Sequence, residues 1–520
     1  MPAALNASLF TGFIGIALML GIAWLMSANR QAIRWRLIVN GLLLQVFVAL
    51  FCLKVELGRQ IFAVLGGAVQ TLLGFANEGA GFVFGFLVNK PEKLDALFGV
   101  GGSFVFAFKL IPVTIFVATL VSVGYHIGLM QRVVSVMTWA VYKLLGVSGA
   151  EALSNAASIF VGQIEAQLMI KPYLESMTRS ELMAVMAGSM ACIAGGVMAI
   201  YIQMGVPAAY LMTASLMALP GAFVIAKLVQ PETEHSLTQG QVSLTIPKHS
   251  VNIIDAAAMG AMDGMKIGLS VIAMLISFIA LIAMVNFVIG QAGLGLAQLG
   301  VSLSGIGLDA THLSLNSILG VAFSGIAMAL GVPLQDAQSV GAMMGTKLVL
   351  NEFVAYADLT AQMKDQLLNP KSVAIASFAL CGFANLGSVA MQIGGIGEMA
   401  PSKKHVMAQI GIKAMLCGTM ASYVSAAWAG ILTSIPDSGS SADTLWPVVA
   451  MALTALTYLG LNAWWNQQDA TKPAAEPSGA IQNPAKAADE PTAGPGKRLV
   501  FVSAPRKVLD AELVEPGKIE

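Results

Sequence analysis

The feature that most constrains this chain is a succession of apolar runs of bilayer-spanning length, set apart by short polar stretches. A helix of about 20 apolar residues crosses the hydrocarbon core. Ser8 to Met26 and Ile38 to Leu53 are the first two such runs; Phe104 to Gly124, Ala208 to Val229, Lys266 to Ile289, His405 to Leu432 and Trp446 to Trp465 follow. Charged residues make up 11% of the chain and apolar ones 57%, whereas a soluble protein is about a quarter charged. The sequence therefore predicts an all-α, multi-pass membrane protein with about eight to nine spans. Arg30, Arg34 and Arg36 lie between the first two runs, which makes that loop cytoplasmic and puts the N-terminus outside.

Other function classes fall away on the same composition. Formal net charge is zero, so no nucleic-acid partner is implied. The four cysteines, Cys52, Cys192, Cys381 and Cys417, lie in apolar runs without a C-x-x-C pair, and the five histidines form no cluster, so neither a disulfide framework nor a bound metal cofactor is expected. No nucleophile pair, metal triad or phosphate loop points to an enzyme. The first apolar run lacks a basic n-region and reads as a retained helix rather than a signal peptide.

Between these runs the pattern is weaker. From Lys54 to Gly102, glycines, Asn77, Glu78 and the Asn89-Lys90-Pro91-Glu92-Lys93 cluster read as interfacial helices and loops. Arg132 to Leu145 reads as an amphipathic interfacial helix with Lys143 on its polar side. Residues 231–250 are a polar loop, and Leu315 to Leu330 is a shorter helix stopped by Gly331-Val332-Pro333. Residues 466–500 are rich in Ala and Pro and read as a disordered tail.

Two stretches combine acids with apolar surroundings. Ala150 to Tyr173 holds Gly162-Gln163-Ile164-Glu165-Ala166; Leu334 to Ala357 holds Thr346, Lys347, Asn351 and Glu352. A carboxylate at the bilayer centre costs about 2.5–3.5 kcal/mol on insertion scales, so such acids face a cavity or a partner. Each stretch fits a re-entrant hairpin, because a turn at membrane depth is tolerated only where protein or a water-filled cavity covers it. About 30 residues after each acid comes a helix interrupted mid-membrane, at Cys192-Ile193-Ala194-Gly195-Gly196-Val197 and at Cys381-Gly382-Phe383-Ala384-Asn385. Acid and break recur together, which argues for an internal duplication with a solute site between its halves.

These segments resemble the concentrative nucleoside transporter family. Gly162-Gln163-x-Glu165-Ala166, Ile170-Lys171-Pro172-Tyr173, Ala194-Gly195-Gly196-Val197 and Pro231-Glu232-Thr233 carry the likeness in the first half. The run Gly345 to Tyr356, Cys381 to Asn385 and Gly394-Gly395-Ile396-Gly397 carry it in the second. The resemblance implies a homotrimeric, elevator-type symporter of the cytoplasmic (inner) membrane, with an inverted-repeat transport domain held by a scaffold domain. It implies scaffold and interfacial helices over 1–145, the first transport half over 146–230, and a scaffold helix with its connecting interfacial helix over 231–333. The second transport half then covers 334–435, an extra transmembrane helix 436–465, and a tail 466–520. That extra helix would bring the tail into the cytoplasm.

By the same resemblance Gln163, Ile164, Glu165 and Val197 address the nucleobase, Glu352, Asn385 and Ser388 the ribose, and Phe383 packs near the base. The family's sodium position maps to Ser158, Val161, Cys192 and Ile193. This sequence departs from the pattern there, because a thiol is a poor ligand for a hard cation. The coupling ion is thus sodium or a proton carried by Glu165 or Glu352, with uptake expected to depend on pH more than on sodium. Gln167 stands where proline is common. Ile164 replaces a hydroxyl residue, so a nucleobase or modified nucleoside is an alternative solute. An ion channel using the buried acids is the alternative from another class.

Overall fold

The computed structural model describes residues 2–89, 105–238, 243–244, 250–435, 441–470 and 499–500. Its elements are α-helices and short 3-10 turns, apart from a two-residue antiparallel ladder that pairs Ser243 with Val500 and Leu244 with Leu499. The helices of nine residues or more are α1 (Pro2–Leu25), α2 (Trp35–Leu53), α3 (Glu56–Phe84), α4 (Phe106–His126), α5 (Leu129–Leu145) and α6 (Gly149–Ala157). They continue as α7 (Arg179–Ala191), α8 (Gly195–Met204), α9 (Ala208–Val229), α10 (Ile253–Gln298) and α11 (Leu315–Ala329). The second half adds α12 (Ala337–Val349), α13 (Glu352–Lys364), α14 (Pro370–Ala379), α15 (Leu386–Met399), α16 (Lys404–Thr433) and α17 (Ser441–Ala470). Among the described residues, eight segments are long and apolar enough to cross a bilayer, with α7 and α8 forming one of them.

Two expectations need correction. Residues 56–84 form one continuous helix rather than interfacial pieces. Its glycines disguise it, yet Gly58 is needed where the helix meets the Phe51 backbone, and Gly66 lies close against Ala208. The Lys90–Lys93 part of the polar cluster lies outside the described residues. Helix α10 runs 46 residues rather than the 24 from Lys266 to Ile289. At about 1.5 Å per residue it is roughly twice as long as a bilayer core is thick. Asp263 and Lys266, within its first half, are exposed and pair with each other at 3.3 Å. Asn252 caps the true start by accepting from the Asp255 N–H.

The remaining spans follow the sequence closely. Between α6 and α7 the chain turns at 158–164 and returns through short helical turns at Glu165–Leu168 and Lys171–Leu174, giving the first hairpin. Helices α12 and α13, joined at Leu350-Asn351, give the second; Asn351 caps α13 through the Val354 N–H. Helices α7 and α8 are interrupted at 192–194, and α14 and α15 at 380–385. A capping box of Thr178 and Glu181 starts α7, and a second of Ser148 and Glu151 starts α6.

The core lies around α7, α9, α14 and α16, with α1 and α2 packed on α9 and α16. Helices α4 and α10 pair along their length outside that bundle; Gly260, Gly264 and Gly268 sit on the α4 backbone and allow the close approach. The extra helix α17 packs on α2, where Asn462 and Asn40 exchange hydrogen bonds at 3.2 and 3.3 Å.

Candidate functional site

Each hairpin is anchored at its base to the first turn of the broken helix that follows it. In the first half, buried Lys227 of α9 pairs with Glu151 of α6 at 2.7 Å and donates to Ser180 of α7 at 3.0 Å. In the second, the Asp336 carboxylate accepts from the Asn369 N–H and the Ser372 hydroxyl at the start of α14. Both hairpins therefore project from fixed roots toward the breaks. The breaks touch each other: Gly382 has φ +105°, and a Cβ there would lie 2.5 Å from the Ala191 carbonyl oxygen and 2.6 Å from that of Met190.

An unwound helix leaves carbonyls without intrahelical partners. At the end of α14 the fully buried Lys347 of α12 supplies them, donating to Ala379 O and Cys381 O at 2.9 Å each. Ser422 of α16 also donates to Cys381 O, at 2.7 Å. A cation at a helix C-terminus also complements the helix dipole. On the other side of the break, Asn385 caps α15 by accepting from the Ser388 N–H at 2.9 Å.

Glu352 stands at the first position of α13, an end that favours negative charge, and only 5% of it is exposed. Tyr201 of α8 donates to one carboxylate oxygen at 3.0 Å and Asn385 Nδ2 to the other at 3.1 Å. The Tyr201 ring is held by Tyr356 and Phe353, with centroids 4.4 and 5.5 Å away. Gln163, from the tip of the first hairpin, donates to the Ser388 hydroxyl at 3.3 Å. One polar chain thus runs from Gln163 through Ser388 and Asn385 to Glu352 and Tyr201. It takes a residue from each hairpin and from each broken helix.

The other sequence-predicted residues lie around that chain to different degrees. Val197 and Phe383 are half-buried, one in the first turn of α8 and the other in the second break. Ile164 seats its side chain against Gly395 of α15, where any Cβ would collide with it. Glu165 is exposed; its carboxylate folds over Gly162 and makes no ion pair among the described residues. Of the proposed ion ligands, Ser158, Cys192 and Ile193 are buried and Val161 is half-buried. Ser158 donates its hydroxyl to Ser154 O at 2.9 Å, and the Cys192 thiol faces Ser215 O at 4.0 Å. All four cysteines are free and buried, as their apolar setting predicts.

Two glutamines that the sequence reading gave no site role are central here. Gln167 is fully buried and staples the first hairpin: its amide donates to Gln163 O at 3.2 Å and accepts from the Ser154 hydroxyl at 2.7 Å. Gln392 is fully buried behind Gln163 and donates to its side-chain oxygen at 3.1 Å. The sequence held one clue, since Asn385, Ser388 and Gln392 fall at helical spacing on one face of an otherwise apolar helix. Separately, an apolar cavity of about 920 Å³ opens between α10 and α13, lined by Ile272, Ile276, Ala283, Phe353, Val354 and Ala357 among others.

Comparison with known proteins agrees in both sequence and fold. The family described as "Na+ dependent nucleoside transporter C-terminus" matches residues 210–430, its N-terminus counterpart residues 14–87, and "Nucleoside recognition" residues 107–208. "Nucleoside permease NupC" of Helicobacter pylori is 41% identical over 432 residues, covering 82% of this chain and 99% of that protein. "Sodium/nucleoside cotransporter 1" of Mus musculus is 34% identical over 434 residues, covering 81% of this chain and 63% of that one. The structure of CNTnw in an inward-facing substrate-bound state aligns with a TM-score of 0.75 at 41% identity, over 84% of this chain and 99% of that one. The family matches end at residue 430, so α17 lies beyond them.

Proposed function

The chain belongs to the concentrative nucleoside transporter family, and from that premise we propose that it takes up nucleosides by ion-coupled symport. It is a transporter and a multi-pass membrane protein. The observation that carries the substrate reading is the polar chain from Gln163 to Glu352, built from both hairpins and both broken helices. Ribose offers hydroxyl donors, and a carboxylate accepts them with charge-assisted bonds about twice as strong as neutral ones. Glu352, steadied by Tyr201 and Asn385, keeps lone pairs for that purpose. Gln163 brings an amide to the base, Glu165 and Val197 flank it, and Phe383 offers it an apolar surface.

In this reading the two hairpins and broken helices, residues 146–230 and 334–435, move together past the scaffold, in which α4 and α10 form a pair. The cavity between α10 and α13 leaves room for such a displacement. Inward-facing, outward-facing and intermediate states described for CNTnw support the idea by kinship. Homotrimeric assembly in the cytoplasmic membrane belongs to the same proposal. For the coupling ion we infer a proton rather than sodium, because a serine and a thiol supply the side chains at the family's sodium position.

Uptake of a labelled nucleoside panel into transport-deficient cells tests both parts. Accumulation of nucleosides that survives replacement of sodium by choline at fixed pH, and falls when the proton gradient is collapsed, is the expected result. A free nucleobase competing better than its nucleoside would overturn the substrate reading, and loss of uptake in choline would overturn the proton.

A further inference from the structure

The orientation of a glutamine amide decides whether it offers a substrate a donor or an acceptor, and the surroundings of Gln163 fix that choice. The Ser189 hydroxyl has one proton, and its two nearest carbonyls, Val185 O at 2.8 Å and Met186 O at 3.2 Å, can only accept it. With that proton given to the nearer of them, Ser189 accepts from Gln392, whose side-chain nitrogen lies 2.9 Å away. That same nitrogen lies 3.4 Å from Met186 O, a second group that only accepts. Turned the other way, the Gln392 carbonyl would face the Met186 carbonyl, and its amino group would take the buried place where Oε1 now has no hydrogen-bond partner, leaving N–H donors unmade at their full desolvation penalty. With its amino group so fixed, Gln392 donates to Gln163 Oε1 at 3.1 Å. The Gln163 carbonyl is thereby occupied from behind, and its amino group faces Ser388 at 3.3 Å and the Met391 sulfur at 4.0 Å. Both contacts are long, so an N–H remains for a stronger acceptor.

We propose that Gln392, backed by Ser189 and the Met186 carbonyl, is a positioning residue that sets base selectivity by locking Gln163 as a hydrogen-bond donor. The inference rests on the nucleoside reading above and adds the rule by which bases are chosen: the atom that meets Gln163 is an acceptor. Uracil and cytosine are the natural probes. Position 4 carries an acceptor oxygen in uracil and a donor amino group in cytosine, and position 3 has the opposite exchange. Replacing Gln392 by glutamate puts an acceptor behind Gln163, so that Gln163 turns its amino group inward and offers the base its carbonyl.

The test is uptake of labelled uridine and cytidine, each with its own KM, by the full chain and by Gln392→Glu and Gln392→Met in transport-deficient cells. Surface amounts are measured alongside. Gln392→Glu is expected to shift the uridine-to-cytidine ratio of kcat/KM by about fivefold or more, toward the nucleoside that the parent disfavours, the factor given by one neutral hydrogen bond. Gln392→Met frees the amide and brings the ratio toward one, so it decides the matter should the buried carboxylate keep Gln392→Glu from assembling. A ratio unchanged in every variant that reaches the membrane overturns the proposal while leaving the nucleoside reading intact. A parent chain that accumulates neither nucleoside overturns that reading instead.

Discussion

Lys347 offers the sharpest test of how the second break is held. Its ammonium is fully buried and donates to Ala379 O and Cys381 O at 2.9 Å each, where α14 stops. Hydrogen bonds to a charged group contribute about 1.5–3 kcal/mol apiece, so the two sum to roughly 3–6 kcal/mol. Lys347→Met removes both but also removes the cost of burying an ammonium, which amounts to several kcal/mol. The Ser422 hydroxyl still serves Cys381 O, leaving Ala379 O as the group without its donor. The two large terms offset each other, so the expected net loss is about 1–3 kcal/mol, the cost of leaving the buried Ala379 carbonyl without its donor. The break shapes the cap at Asn385, and Asn385 steadies Glu352, so nucleoside KM should rise about tenfold with it. Thermal unfolding of purified protein with and without uridine reads stability, and uptake kinetics read KM. A Lys347→Met protein that melts with the parent and keeps its KM would refute the claim that this lysine holds the site.

Two further predictions concern the frame. Gly382→Ala combines φ +105° with overlap on Met190 O and Ala191 O, so it should cost about 3 kcal/mol or more and leave little folded protein by fluorescence-detected size exclusion; normal yield and uptake would show that the breaks do not meet. Ending the chain at residue 435 removes the Asn462–Asn40 and Arg36–Asn462 bonds and that from Tyr458 to Leu144 O. At about 0.6 kcal/mol for each polar contact between such helices the loss is near 2 kcal/mol, so the melting temperature should fall by a few degrees with uptake retained.

Much of this architecture can be read from the chain because bilayer-spanning helices must be apolar over a fixed length. Ala208 to Val229 coincides with α9, and both broken helices stop at the small and polar residues that marked them. Composition misleads where a helix meets another helix or water in place of lipid. Glycines in α3 accommodate neighbouring backbone and side chain, and the Asp263–Lys266 pair in α10 sits where charge is tolerated. The site was half legible. Glu352, Asn385 and Gln163 stand out as polar groups in apolar company, and the fold joins them. Glu165 stands out equally in the sequence but lies exposed at the hairpin tip, since nothing local distinguishes an acid that stays at the surface from one that enters a buried network. Gln392 and Gln163 are 229 positions apart, a pairing that no local pattern reports.

The central claim is that Glu352 receives the hydroxyls of a ribose. Direct binding of uridine to purified parent protein and to Glu352→Gln, followed by calorimetry, addresses it without relying on transport. The exchange keeps the shape of the side chain but turns one accepting oxygen into a donor facing Tyr201 or Asn385. The account predicts that uridine affinity drops at least about tenfold, the worth of one charge-assisted bond, in a protein that still folds and reaches the membrane. Equal affinity in the two proteins would contradict it.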